Sequence, residues 1–240
     1  MQQIFIEEKA ELNKIVSFSE KKRHHLQHVL RMKENEIIRI VDSSNNVFLA
    51  KIVMDQGEMC AQCFEVVLKT AERKNEVTLL MGLIKKEKWD FCLQKCTELG
   101  VTRIVPFESM RTVVKSKEER SDKKLERWNK IVLEAAQQCK RDCVPEVTMP
   151  MKLMDAVECY KSDINFVAYE SCTIEARKLR DVIEDGNSMT LIIGPEGGFD
   201  ETEIVKLKEK GVECITLGNR ILRAETAAIY ALSAIDAILE

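Results

Sequence analysis

The first third of the chain alternates short β-branched runs with turn residues such as those at 42–46. This pattern is typical of short strands in a small β-rich unit. Leu26, Val29 and Leu30 instead recur at helical spacing, so a helix capped by Ser19 is expected over residues 19–30. We therefore predict a small barrel with one helix over residues 1–72. The runs expected to form its strands are residues 4–6, 36–41, 47–53 and 63–68.

The pattern changes at residues 75–84, a nearly continuous apolar run of the kind found in a strand covered on both faces. Apolar positions from Trp89 to Leu99 then follow helical spacing, with Gly100 expected just past the helix end. A strand at residues 101–105 would complete a parallel strand–helix–strand unit. A second amphipathic helix is predicted over residues 125–139. These features predict an α/β domain over residues 73–240.

A Gly/Pro turn interrupts the apolar stretch LIIGPEGGFD at residues 191–200. Asp200 and Glu203 have the spacing of a capping box, so a helix is expected to begin just past the turn. The turn is neither a P-loop nor the dinucleotide-binding fingerprint, because the lysine and the glycine spacing are absent. A ligand-binding concavity and a tight structural connection both fit these residues.

A second glycine turn lies in the stretch LGNRILRAET at residues 217–226. It also joins a short strand to an Ala-rich helix, and it carries Arg220, Arg223 and Glu225. Such charges seldom crowd a purely structural turn. The strand ends at residues 165–170, 191–193 and 214–217 are expected to lie side by side in a parallel sheet, where α/β proteins bind ligands.

Together these stretches resemble the signature of the RsmE family, the SPOUT-class methyltransferases of small-subunit ribosomal RNA. The resemblance covers nearly the whole chain. Two departures are Gln2-Gln3, where family members often carry arginine, and Asn35, where glycine is usual. The supporting residues are 194–199 (GPEGGF), 217–227 (LGNRILRAETA), His25-Leu26, 29–32 (VLRM), 95–101 (KCTELGV), Glu134, Gln138 and Arg141.

The resemblance implies an α/β C-terminal SPOUT domain with a deep trefoil knot that binds S-adenosylmethionine, and an N-terminal PUA-like β-barrel. It also implies a homodimer that methylates N3 of a uridine in 16S ribosomal RNA, free or within the small subunit. Contact with RNA is expected from His25, Arg31, Lys86, Gln138, Arg141 and Arg220. Cofactor contacts are expected from Tyr169, Glu170, Gly194, Pro195, Glu196, Gly197, Gly198, Leu217, Gly218, Asn219, Ile221 and Leu222.

For the chemistry, Arg223 and Glu225 are the candidate catalytic residues. Methyl transfer from a sulfonium is an in-line displacement, so the protein mainly positions the reactants and controls charge. The guanidinium of Arg223 is expected to stabilise charge on the uracil oxygens, a role open also to Arg220 or Arg141. The base that removes the N3 proton is unassigned. Glu225 and Glu196 are candidates, but a carboxylate at its ordinary pKa suits this proton poorly, and the alternative role for Glu225 is to orient an arginine.

Composition is that of an ordinary globular protein: 240 residues, 45% hydrophobic and 32% charged. The net charge of -3 is unevenly spread, because residues 85–141 carry 15 Lys and Arg against 9 Asp and Glu. A phosphate backbone or a solvated helix face would each account for this basic segment. With no signal peptide and no apolar run near the ~20 residues of a membrane helix, we expect a cytoplasmic protein. The nine cysteines are expected to be reduced, without a metal site.

Two other functions fit parts of the sequence. One is a non-catalytic RNA-binding or ribosome-assembly factor that retains the fold, against which the loop charges argue. The other is an α/β enzyme that uses a different nucleotide. The shortage of lysine in both glycine turns argues against that enzyme, since phosphate groups need cationic or N–H partners.

Overall fold

The computed structural model describes residues 1–112, 121–169 and 177–239. The contacts divide the chain into two compact units. The first unit is Met1–Glu72 together with Ala136–Cys143, and the second is Arg73–Ala135 together with Val144–Glu240.

The first unit contains a five-stranded sheet with the order β1-β3-β4-β5-β2. The pairing of β1 with β3 is parallel and the other pairings are antiparallel. Its core includes Leu26, Ile38, Ile40 and Ile52, all fully buried. The predicted strand regions are confirmed, whereas β2 was not predicted because three residues show no period. The strands are β1 Gln2–Phe5, β2 Ile15–Ser17, β3 Ile37–Val41, β4 Val47–Asp55 and β5 Glu58–Val66.

The helix of this unit is shorter and less regular than predicted. Helix α1 spans Glu20–His24, with the Ser19 hydroxyl accepting a hydrogen bond from the Lys22 amide at 3.4 Å, and one π-helical turn follows at His25–Val29. Asn35 has a φ of 71°, in the left-handed region that asparagine tolerates better than most residues. That conformation explains how asparagine replaces the glycine expected there.

The second unit is built on an eight-stranded sheet in which every pairing is parallel. The main strand order is β11-β13-β10-β12-β6-β7-β8, and β9 also pairs with β7. The strands are β6 Val77–Gly82, β7 Arg103–Glu108, β8 Glu146–Val147, β9 Met151–Lys152, β10 Ile164–Ala168, β11 Arg177–Lys178, β12 Met189–Ile193 and β13 Glu213–Thr216.

Helices cover both faces of this sheet. One apolar cluster joins the sheet to α2, α3 and α6, and the other joins it to α4 and α5. Strand β6 is buried at every position, as its unbroken apolar sequence predicts for a strand between two helical layers. The helices are α2 Lys86–Glu98, α3 Ser121–Cys139, α4 Leu153–Cys159, α5 Glu201–Glu209 and α6 Ala224–Leu239. None of the helices in the described ranges is long and apolar enough to cross a membrane.

Arg141 lies elsewhere than predicted. Helix α3 ends at Cys139, and Lys140 adopts a φ of 66°, so the chain turns before Arg141. Arg141 therefore lies beyond the helix that carries Glu134 and Gln138. Its side chain is 4% exposed, and its Nη2 donates to the Glu72 carboxylate at 2.7 Å. A buried guanidinium held in this way does not serve as a contact to RNA phosphate.

Glu72 and Asp142 anchor the residues around Arg141 within the first unit. Glu72 also accepts from the Asp142 amide at 2.8 Å, and Asp142 accepts from the Thr70 hydroxyl at 2.8 Å and from the Arg39 guanidinium. Burial favours the neutral form of Glu72, but the hydrogen bonds and charge of Arg141 outweigh it and hold the pKa of Glu72 below its ordinary 4.5.

We predict that Arg141→Met lowers the free energy of unfolding by about 3 kcal/mol at neutral pH, because the Glu72 carboxylate loses its partner in a largely buried site. A carboxyl with a lowered folded pKa adds stability above its unfolded pKa, and this stability is lost as the pH falls through the folded value. The deficit of the variant should therefore shrink below about pH 4. Urea denaturation at several pH values measures the difference in the free energy of unfolding between the variant and the wild-type protein. Lys130→Met, which removes an exposed pair with Glu134, is the control and should cost less than about 0.5 kcal/mol.

Candidate functional site

Three strands of the second unit end at one edge of the sheet. Strand β10 pairs in parallel with β12, where Ala168 faces Ile193, and with β13, where Ala168 faces Ile215. The side-by-side arrangement predicted from the sequence is therefore confirmed. The segments that leave these three strands consequently emerge close together, since neighbouring strands lie about 4.8 Å apart. Glu170, predicted to lie at the first of these ends, is outside the described residues.

A hollow opens where β10 and β13 end. Thr216 fixes the start of the loop, because its hydroxyl accepts from the Gly218 amide at 3.1 Å and lies 3.2 Å from the Gly218 carbonyl oxygen. Gly218 has a φ of 112° and free space where a Cβ would stand. The backbone therefore borders the hollow directly. Its described lining is Ala168, Tyr169, Thr216, Leu217, Gly218, Asn219, Arg220, Ile221, Leu222 and Ala227.

Six of the predicted cofactor residues line this hollow: Tyr169, Leu217, Gly218, Asn219, Ile221 and Leu222. The five cofactor residues predicted from the first glycine turn, residues 194–198, are not among the described residues that line the hollow. Ile221 is 84% exposed, so a large apolar side chain stands uncovered beside the hollow. Such exposure suits a site whose apolar contact comes from a ligand.

The first glycine turn is packed tightly against the protein itself. A Cβ on Gly82, at the end of β6, would lie 2.4 Å from the Pro195 nitrogen. A Cβ on Gly194 would lie 2.9 Å from the Phe199 ring, and one on Gly197 would lie 2.8 Å from the Arg111 carbonyl oxygen. Glycine at 194 and 197 is therefore required by close packing within the domain, a reason that sequence alone did not reveal.

The predicted helix start beyond this turn is confirmed. Asp200 and Glu203 form a capping box at the beginning of α5. Glu203 is 6% exposed and also accepts from the Met110 amide at 2.9 Å, while Arg111 pairs with Asp200 at 3.2 Å. The segment after β7 is thereby attached to the same turn and helix end, which makes the turn a rigid element.

Charged side chains connect the two glycine turns. Lys88, in the first turn of α2, donates from Nζ to Glu196 Oε1 at 2.5 Å, and its Nζ lies 3.7 Å from Glu225 Oε1 at the start of α6. The hydrogen bond to Glu196 is the main reason that the pKa of Lys88 is raised. Arg223 has an exposed side chain, and its carbonyl accepts from the Ala227 amide at 2.8 Å as α6 begins. Both candidate catalytic residues thus stand at one helix start.

Sequence reasoning missed Lys88, although one signal was available. Lys85, Lys86 and Lys88 crowd the N-terminus of α2, where the helix dipole favours acidic residues. A local preference violated in this way often marks a functional position.

The predicted RNA contacts are distributed over both units. His25, Arg31 and Gln138 are exposed in the first unit, and Lys86 and Arg220 are exposed in the second. The His24 and His28 rings, with centroids 4.6 Å apart, flank His25 in sequence. Five of the six predicted residues are therefore accessible to a polyanion, and Arg141 is not.

Comparisons with known proteins agree along almost the entire chain. A family model described as an RNA methyltransferase domain matches residues 71–236, and one described as an RNA methyltransferase PUA domain matches residues 18–57. Ribosomal RNA small subunit methyltransferase E from Bacillus subtilis is 35% identical over 98% of this chain and 96% of its own. The protein of the same name from a Buchnera aphidicola strain is 32% identical over 97% of this chain and 92% of its own. The crystal structure of the Neisseria gonorrhoeae enzyme of that name, bound to S-adenosyl methionine, is 30% identical and superposes with a TM-score of 0.89 over 99% of this chain and 97% of that one.

We predict that Gly82→Ala displaces the turn at residues 194–198 and costs about 2 kcal/mol, because its Cβ would meet backbone atoms that cannot yield freely. Thermal unfolding and amide hydrogen exchange of the turn measure the two effects. Gly57→Ala is the control, since its Cβ meets nothing within 4 Å and its φ of 83° strains only its own turn. Equal exchange at residues 194–198 in both variants would contradict the proposed packing role.

Proposed function

This chain belongs to the ribosomal RNA small subunit methyltransferase E family, and on that premise we propose that it transfers a methyl group from S-adenosylmethionine to N3 of a uridine in 16S ribosomal RNA. The observation that carries this proposal is the backbone-lined hollow at the common edge of three parallel strands. In sequence, Arg223 and Glu225 lie between Leu222 and Ala227, two of the residues that line it. The substrate is 16S ribosomal RNA, free or within the small ribosomal subunit.

The residues of the hollow fit the proposed cofactor. Backbone groups of Leu217 and Asn219 offer both donors and acceptors to the edge of an adenine, and Ile221 and Leu222 offer apolar cover for its face. Tyr169 closes the β10 side, and residues 194–198 are proposed to border the methyl-donor end from the neighbouring strand. When bound, the sulfonium supplies an activated methyl group, so no metal is required for the transfer.

The protein's own part in the reaction is positioning and charge control. Loss of the N3 proton leaves negative charge on the uracil ring, and the exposed guanidinium of Arg223 presents a fixed fork of donors to the ring oxygens. Glu225 is the proposed proton acceptor. Its Oε2 is buried and has no hydrogen-bond donor among the described residues. Glu196 is less suited, because its Oε1 already accepts the hydrogen bond from Lys88.

We also propose the finer architecture that family membership implies. Residues 73–240 form a SPOUT domain with a deep trefoil knot, and residues 1–72 form a PUA-like β-barrel that contacts RNA through His25 and Arg31. Lys86, Gln138 and Arg220 contribute further contacts. Two copies form a homodimer in the cytoplasm. The exposed Tyr230 and Ile238 on α6, at 47% and 44%, support a partner on that helix.

We expect radiolabelled methyl groups to pass from S-adenosylmethionine to small-subunit RNA taken from cells that lack this gene, and not to RNA that is already modified. Mass mapping of the product should place the label on N3 of a single uridine. A non-catalytic RNA-binding or assembly factor would bind the same RNA without transferring label, so an absence of transfer to assembled subunits and to free RNA would favour that alternative.

Arg223→Ala is expected to lower the turnover rate by at least about 100-fold, because a donor to developing charge is lost. Its dissociation constant for S-adenosylmethionine, measured by calorimetry, should stay within about fivefold of the wild-type value. Arg103→Ala is the matched control and should retain activity, since Arg103 begins β7 at the opposite edge of the sheet and pairs with Glu146. Normal methylation by the Arg223 variant would remove this residue from the mechanism.

A further inference from the structure

Lys88 occupies a position that its own helix disfavours. It lies in the first turn of α2, beside Lys85 and Lys86, and no side chain caps the helix start at Lys85. The helix dipole disfavours cations near a helix N-terminus. The start of α2 therefore does not stabilise a lysine at residue 88, whose partners lie in distant segments.

Those contacts are two carboxylates from separate segments. Lys88 Nζ bonds to Glu196 in the first glycine turn and lies 3.7 Å from Glu225 in the first turn of α6. The three side chains are 32%, 26% and 13% exposed, so solvent screens them only in part. Without the ammonium, the two carboxylates would face each other across a partly buried site and repel.

We propose that Lys88 is a positioning residue for methyl transfer, tying the turn at residues 194–198 to the start of α6 so that Arg223 and Glu225 face the acceptor base. This inference rests on the proposed function. Lys88 acts through Glu196 and Glu225 and does not itself touch a substrate. The hydrogen bond to Glu196 raises the pKa of Lys88 above its ordinary 10.5, so the ammonium is charged at neutral pH, as an electrostatic tie requires.

The charge balance explains why the tie matters for Arg223. Glu225 meets Lys88 through Oε1, while Oε2 has no donor in the described part of the chain. Arg223 immediately precedes α6, two residues before Glu225. If Lys88 loses its charge, Glu225 loses its cationic partner and is expected to pair with Arg223 instead. That pairing would draw the Arg223 guanidinium away from the acceptor base and would occupy Oε2 of Glu225.

The test compares Lys88→Met, which keeps the stem and removes the charge, with Lys88→Arg, which keeps a cation. Lys88→Met should lower kcat by about 100-fold, the usual effect of misplacing reacting groups, and change the Kd for S-adenosylmethionine by less than about threefold. Lys88→Arg should recover most of kcat. Lys95→Met, on the same helix and paired with Glu98, should retain activity. Wild-type kcat in Lys88→Met would overturn the proposal, as would a loss in kcat matched by an equal loss in cofactor affinity.

If Lys88→Met fails to fold, Lys88→Arg and Glu196→Gln carry the test. Near-normal kcat in the arginine variant with about a tenfold lower kcat in Glu196→Gln would support the tie. Unchanged kcat in Glu196→Gln would overturn it.

Hydrogen exchange separates this proposal from the proposed function. Lys88→Met should raise amide exchange together at residues 194–200 and 219–226, whereas Lys95→Met should leave both segments unchanged. If the wild-type protein transfers no methyl group but this paired increase is seen, the function fails and the tie between the turns stands. If neither segment changes, the positioning role of Lys88 is overturned whatever the activity.

Discussion

The parallel pairing of β10 with both β12 and β13 is the constraint on which the rest of the second unit depends. Because the three strands run in the same direction and are covered by helices on both faces, their carboxyl ends meet at one edge. A slip of one residue would turn buried side chains such as Leu191 and Ile193 to the other face, so packing holds the register. The proposed site depends on that register, because it places Tyr169, Gly194 and Leu217 just past the ends of three neighbouring strands.

The two glycine turns at this edge use glycine for different reasons. At Gly194 and Gly197 the protein itself occupies the space that a side chain would need, so the turn is rigid before any ligand arrives. At Gly218 the space is open and the φ of 112° requires glycine, which leaves the backbone accessible. The open, backbone-lined hollow suits in-line methyl transfer, because the donor must be held at a fixed angle to the acceptor.

The chain contains two charged clusters with different physical roles. Arg141 and Glu72 form a pair in the first unit in which the guanidinium is 4% exposed, and the backbone amides of Asp142 and Cys143 complete the partners of the carboxylate. Such a buried pair fixes the segment around Arg141 within the first unit. Lys88 with Glu196 and Glu225 is more open, and one carboxylate oxygen keeps no donor in the described part of the protein. The second cluster is therefore the one proposed to position groups for methyl transfer, whereas the first holds a segment within its unit.

Local features of the sequence were sufficient to predict some of the elements, whereas short ones such as β2 were not predicted. The apolar run at β6, the capping box of Asp200 and Glu203, and the glycine at residue 100, with its φ of 77°, depend on neighbours within a few positions. The family motifs likewise indicated the methyltransferase before the structure did. Only the tertiary structure decided the partners of charged side chains: Arg141 with Glu72 is a contact across 69 residues, and Lys88 with Glu196 is one across 108. The helical period of a sequence predicts which residues share a face of a helix. It does not predict the ion-pair partner of a lysine or arginine, because that partner depends on which distant segments the fold brings within about 4 Å.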